Sequence, residues 1–349
     1  MRGRIGTLAL IVGLMAFAPM SAQESEIPLF NPQRTTLYTQ PELWRGFDAV
    51  AAKPGWDADV YRQYVRAGKF YPMPGMARAR SLHDDGISTA LGVSIRALQA
   101  RGKAVVAVMG NAAEDLRCSA TYRQTALLGY QLARSGYLVT TGGGPGEMEA
   151  ANLGAYLSGE PESAIDAAIA ILRAGAVRAS DPTVCRYTSY FTYTQAAFDV
   201  VKRFPNAAEN LGVPTWFYGH EPPNIFATQV AKFFSNAIRE DTLLAIATAG
   251  VVYTEGAAGM RQEIFQKAAQ NHFASFCYVS PMVFLGTKEF GDSGLYQLVY
   301  NFAAPAFPSV GSYRDFLKLT GNVADAVAFL KANPPRRIND AEATCANAP

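Results

Sequence analysis

Short apolar runs alternate with glycine-punctuated polar stretches along most of this chain, in the rhythm of strands and helices taken in turn. Lys103–Met109 (KAVVAVM) carries no charge after its first residue and is rich in valine, which predicts a buried strand. A polar loop and then a helix through Tyr122–Arg134 follow. Tyr137–Thr141 predicts the next strand, and a helix opens at Gly146. Ser163–Arg173, rich in Ala and Ile, predicts a helix inside an excursion that ends near Cys185. Further on, Thr192–Phe204 reads as helix, Val213–Tyr218 as strand and Asn224–Ala247 as one long helix. Val251–Tyr253, a helix over Gly259–Asn271, a strand over Phe276–Leu285, Phe316–Thr320 and a helix over Val323–Ala332 close the pattern. Such alternation predicts the α/β class, a Rossmann-like parallel sheet covered by helices on both faces.

The leading part of the chain breaks this rhythm. Arg2 and Arg4 precede an apolar run, Leu8–Ala18, and then Pro19-Met20-Ser21-Ala22. A positive start, a short apolar stretch and small residues describe a secretory signal peptide, too short to span a bilayer. The expected division is a signal peptide over 1–22, a mostly helical N-terminal extension over 23–101, a Rossmann-like domain over 102–335 and a polar tail over 336–349. The extension has helical stretches near Asp57–Ala67 and Gly86–Gln99 and is expected to pack against the main domain or a partner.

Composition narrows the classes. Hydrophobic residues make up 49% of the 349, enough for a full core. With Arg2 and Arg4 removed, 29 basic residues face 29 acidic ones. A neutral mature chain argues against nucleic acid or an anionic membrane as partner. The expected location is secreted or periplasmic, where disulfides persist. Cys118 and Cys185 lie in polar loops near the carboxyl end of the expected sheet and are the candidate pair; Cys277, inside an apolar run, reads as a buried thiol, and Cys345 falls in the tail.

Two strand–glycine–helix units carry the candidate chemistry. In the first, LVTTGGGPGEMEAAN, the strand enters Gly142, Gly143 and Gly144, and Pro145 and Gly146 precede Glu147 and Met148. Glycine lets backbone approach an anion, and a helix N-terminus offers unpaired N–H groups at the positive end of its dipole. The spacing is neither GxGxxG, since Glu147 stands at the third glycine, nor a P-loop, since no Lys-Ser/Thr follows. In the second, VVYTEGAAGMRQE, the turn holds Gly256, Ala257, Ala258 and Gly259, with Met260 and Glu263 in the helix it opens. Either turn alone also serves as ordinary βα punctuation.

Taken together the two motifs resemble the Lonely Guy family, Rossmann-like nucleotide-binding proteins often mislabelled lysine decarboxylases. The family's GGG-x-x-G-x-M is similar to Gly142–Met148, and its PGG-x-GT-x-x-E is similar, in degraded form, to Glu255–Glu263. Glu255 replaces the proline, Ala257 the second glycine and Met260 the threonine, while Gly256, Gly259 and Glu263 keep their places. Arg239 falls where the family has an arginine, without the flanking Met and Lys. The resemblance covers Lys103–Asn333, and WFYGHEPPN (Trp216–Asn224) looks like a longer-chain branch.

The resemblance implies cleavage of the N-glycosidic bond of a nucleoside 5′-monophosphate, releasing free base. It implies a nucleotide or nucleoside as small-molecule partner, no cofactor, no metal and a homodimer. The glycine turns would hold phosphate, Glu263 would stabilise an oxocarbenium-like transition state or activate water, and Arg239 would bind phosphate or orient the carboxylate. Met260 and Glu255 both oppose phosphate, with Arg261 as a partial offset, so the alternative is a catalytically silent nucleotide- or nucleoside-binding protein. Plainer roles stand beside these: Glu263 as an acid at a helix start, Arg239 in an ion pair with Glu240 or Asp241. Asn111, after the first strand, is placed to touch a ligand or to make an Asx turn. The aromatics of Tyr187–Tyr193 suit base stacking or core packing. His83, His220 and His272 have no metal-ligand spacing.

Overall fold

Valine-rich strands buried on both faces build the centre of the molecule, seen in a computed structural model that describes residues 26–178, 181–219, 222–256, 258–304 and 311–338. The expected signal peptide, Cys345, His220, Glu221 and Ala257 lie outside the described residues. Seven strands form one all-parallel sheet: β1 (Val105–Met109), β2 (Leu138–Thr141), β3 (Leu211–Gly212), β4 (Gln229–Val230), β5 (Gly250–Tyr253), β6 (Met282–Leu285) and β7 (Leu317–Thr320). Their order is β7-β6-β5-β1-β2-β3-β4. The chain moves outward from β1 in one direction, returns to β1's other side at β5 and moves outward again. That reversal puts a topological switch point between the carboxyl ends of β1 and β5, where open α/β sheets bind ligands.

Alternate residues of each strand feed two cores. Val105, Ala107, Met109, Val251, Tyr253 and Phe284 face one side, with Ile87 and Leu91 of α3 (Pro74–Ala100), Leu243 and Leu244 of α8 (Asn236–Ile246) and Ile264 of α9 (Ala258–Phe273). Val106, Val108, Val139, Val252 and Val283 face the other, with Leu128 and Leu132 of α4 (Ala120–Arg134), Ala151 and Ala155 of α5 (Glu147–Tyr156) and Leu330 of α11 (Val323–Ala332). All five side chains of β1 are wholly buried. Burial of each valine-sized side chain contributes about 1.5–3 kcal/mol, so β1 dictates the sheet's centre.

Three expected elements differ. The strand placed at Val213–Tyr218 lies earlier, at Leu211–Gly212, because Pro214 has no N–H to continue the ladder. The helix expected over Asn224–Ala247 is broken: β4 occupies Gln229–Val230, and α8 starts only at Asn236, where the Ser235 hydroxyl accepts from Ile238 N–H. Val230, Ala231, Phe233 and Phe234 are all buried, which suits chain sandwiched on both sides rather than a one-sided helical stripe. The strand expected over Phe276–Leu285 divides at Pro281 into Tyr278–Val279 and β6. Tyr278–Val279 pairs antiparallel with Arg336–Arg337, so the start of the expected tail belongs to the fold. Cys277 is not a free thiol but disulfide-bonded.

The N-terminal extension is fastened to the sheet. Its α2 (Trp56–Arg66) supplies Asp57, which pairs with wholly buried Lys232 at 2.7 Å. From α3, Asp84 accepts from the backbone N–H of Phe234 and Ser235 at 3.0 and 2.8 Å. Tyr38 exchanges both backbone hydrogen bonds with Val230, covering the edge of β4. Among the described residues no helix is long and apolar enough to cross a membrane.

Candidate functional site

At the switch point lies a cavity of about 260 Å³, a little below the ~300–1,000 Å³ usual for small-molecule sites. The chain leaving β1 contributes Gly110, Asn111 and Ala112; the first glycine turn contributes Gly142 and Met148. Arg239 and Glu240 enter from α8, and Gly259, Met260 and Glu263 from the start of α9, with Tyr218 at the side. Thus Arg239 and Glu263, 24 residues apart, meet because α8 and α9 pack together.

Arg239 Nη1 donates to Glu263 Oε1 at 3.0 Å, and both side chains are buried. Arg239 therefore does not sit on the surface, and Glu240 instead accepts from Gln262 Nε2 at 2.6 Å. Burial pushes the Glu263 carboxyl up to about 7; Arg239 pulls it down and Glu240 pushes it further up. A carboxyl poised near neutrality in a cleft is the kind of group that transfers protons at physiological pH.

The first glycine turn is mostly turned inward. Gly143 has φ +71°, and a Cβ there would lie 2.7 Å from Pro214 Cδ. Gly146 caps α5 with φ +72° against the carbonyls of Asn111 and Ala113. Two of the turn's N–H groups are used within the protein: Gly143 N–H donates to Thr141 Oγ1 and Glu147 N–H to the Asn111 carbonyl, both at 2.9 Å. The carbonyl of Gly144 accepts from Asn224 Nδ2. Of the first motif, only Gly142 and Met148 line the cleft. Asn111 lines it as well and makes an Asx turn, its Oδ1 accepting from Ala113 N–H.

Glu147 points away from the cleft. Its carboxyl accepts from the Thr254 hydroxyl and from Asn111 N–H, and burial pushes it up to about 7 against those hydrogen bonds. It lines a neighbouring cavity of about 180 Å³ together with Thr287, Lys288 and Glu255. Glu255 is exposed there rather than facing the cleft. Arg261, expected to offset it, reaches Glu289 at 3.3 Å on the surface. In the second turn the Met260 side chain covers Gly256, and Ala258 begins α9 outside the cleft lining.

Charge decides what such a cleft accepts. Each full negative charge ~5 Å from an entering phosphate repels it by roughly 3 kcal/mol at an effective dielectric of about 20. A helix N-terminus returns only about 0.3–1 kcal/mol. Sequence alone did not place Tyr218 or Glu240 in the cleft; Glu240 was expected only as an ion-pair partner of Arg239.

The Tyr187–Tyr193 aromatics pack elsewhere. Arg117 and Glu149 form a wholly buried bidentate pair, 2.7 and 2.8 Å, and the hydroxyls of Tyr122 and Tyr193 donate to the same carboxylate at 2.7 Å. The Tyr193 ring lies 3.4 Å under the Arg117 guanidinium. The neighbouring Cys118 is disulfide-bonded to Cys185, with Cα atoms 5.1 Å apart.

One turn beyond Glu263, buried Lys267 donates to the Leu244 carbonyl at 3.0 Å, and burial lowers its ammonium to about 7. Because the unfolded chain keeps this proton up to about 10.5, stability from this group rises with pH between roughly 7 and 10.5. Lys267→Met is expected to stabilise the fold by about 1–3 kcal/mol at pH 7, with the gain shrinking toward pH 10. Urea unfolding at both pH values measures it; a gain that does not shrink refutes the account.

No protein-family model matches this chain, and no curated protein matches it. Among solved structures it is similar to a molybdenum cofactor binding protein from the phototrophic bacterium Rippkaea orientalis, at 12% identity and TM-score 0.39 over 66% of this chain and 96% of that one. It is also similar to the molybdenum cofactor carrier protein from Chlamydomonas reinhardtii, at 17% identity and TM-score 0.39 over 66% and 97%. The architecture itself, a parallel sheet flanked by helices with its cleft at the switch point, is that of a Rossmann-like α/β protein.

Proposed function

We propose that the cleft binds a nucleotide or nucleoside and hydrolyses its N-glycosidic bond, releasing free base. The observation that carries this reading is the buried Arg239–Glu263 pair lining a ligand-sized cavity at the switch point. As the C1′–N bond breaks, its electron pair leaves with the base and positive charge grows on the sugar. Glu263 as carboxylate stabilises that charge and takes one proton of the water that attacks C1′, while the departing base takes a proton from solvent and Glu263 later returns its own to solvent. Arg239 orients the carboxylate and favours its charged form.

The test is incubation of purified protein with the common ribonucleosides and their 5′-monophosphates, with chromatographic detection of free base. Saturable binding without base release replaces this reading with the second one, a silent nucleotide- or nucleoside-binding protein. That second reading is favoured by Met260, which puts a thioether where a hydroxyl would assist.

We further propose that the protein is exported and begins near Gln23; the Cys118–Cys185 disulfide supports an oxidising location. Intact-mass measurement on native material is expected to lack Met1–Ala22. A mass retaining that segment on cytoplasmic protein refutes export.

A further inference from the structure

We propose, resting on the glycosidase reading, that this cleft selects the uncharged nucleoside and turns away its 5′-phosphate. Three independent features converge on that choice. Among the described lining residues the charged side chains are Arg239, Glu240 and Glu263, so acids outnumber the base. One donor of the guanidinium, Nη1, is engaged with Glu263, while Nε is buried without a hydrogen-bond partner. An entering phosphate meets one cation already paired with an acid and a second acid, Glu240, beside it.

The second feature is the donor supply. A phosphate site at a glycine turn works through free backbone N–H groups. Here two of the first turn's N–H groups, those of Gly143 and Glu147, are satisfied from within, so fewer remain for an anion. A ribose hydroxyl, which donates as well as accepts, can use a carboxylate or the Tyr218 hydroxyl where a phosphate dianion cannot use the former.

The third is Met260. A Cβ placed on Gly256 would lie 3.0–3.3 Å from the Cβ, Cγ and Cε of Met260. The apolar chain therefore lies across the glycine that would approach a phosphate, and it offers no donor. The nearby cations are directed elsewhere: Lys288 lines the neighbouring cavity and Arg261 holds Glu289.

The experiment titrates the protein calorimetrically with adenosine, guanosine, cytidine and uridine and with their 5′-monophosphates, and follows base release from the same eight compounds. At least one nucleoside is expected to bind and turn over at least ~10-fold better than its own monophosphate. A monophosphate preferred over its nucleoside overturns the selectivity and leaves the glycosidase reading standing. Failure of all eight to bind overturns both. A paired variant, Met260→Thr with Glu240→Gln, removes one acid and supplies a hydroxyl at the start of α9. It is expected to raise the preference for the monophosphate over the nucleoside at least ~10-fold. Equal tightening of both compounds, or of neither, refutes the assignment.

Discussion

Glu263→Gln is expected to lower base release by ~10²-fold or more while the fold persists, since one positioned charged group in a water-poor site contributes about that much. The substitution is isosteric. The amide oxygen can still accept from Arg239 Nη1, so the geometry of the pair survives and only the charge and the basic site are lost. Because the Glu263 carboxyl lies at about 7, and because the carboxylate is the working form, the rate of the unaltered protein should rise with pH through neutrality. The variant should lose that inflection. Circular dichroism checks the fold, and rate against pH from 5 to 9 checks the chemistry. Base release unchanged in the variant removes Glu263 from the mechanism and leaves it as a partner that holds Arg239 in place.

Glu149→Gln should cost about 3–5 kcal/mol of stability, the usual penalty for removing one partner of a buried ion pair. Four donors converge on this carboxylate: Arg117 Nε and Nη2 and the hydroxyls of Tyr122 and Tyr193. Glutamine replaces one accepting oxygen by an NH₂ group, so donor faces donor where Arg117 or a tyrosine now has an acceptor. The buried guanidinium loses its counter-charge and keeps one amide oxygen, the Tyr193 carbonyl at 2.7 Å and the ring beneath it. Chemical unfolding at pH 7 measures the cost; a loss below about 1 kcal/mol, the range of exposed pairs, would mean that the network is not energetically closed.

Legibility followed the reach of each signal. The strand β1 was readable from its valine-rich run, and β2 and β5 because an apolar run and a glycine turn are contiguous in sequence. The stretch from Asn224 to Ala247 was not, since its helical appearance yields to burial on both sides by elements far away in the chain, among them Asp57 and Asp84. Arg239 and Glu263 were identified through the resemblance, and their contact depends on how two helices pack. The inward use of Gly143 and Gly146 was illegible too: a glycine required by Pro214 or by the Asn111 carbonyl looks the same in sequence as one required by a ligand. Tyr218 lies in the WFYGHEPPN stretch, which gives it no chemical role in sequence, and only the folded chain brings it to the cleft.

The attachment of the N-terminal extension reaches further than its distance from the cleft suggests. Gln40 Nε2 donates to the carbonyls of Asn224 and Ala227 at 2.7 and 2.6 Å, and Asn224 N–H in turn donates to Gly143 at 2.8 Å. Two hydrogen-bonded steps thus connect a segment that reads as an appendage to the glycine turn itself. The extension is a keystone. A chain shortened to begin at Lys103 would keep every cleft side chain named above and still lose the brace behind the turn, the carboxylate that holds Lys232 and the cover over the β4 edge. What marks a boundary in composition is therefore crossed in the structure by hydrogen bonds and an ion pair that reach the glycine turn and the sheet edge.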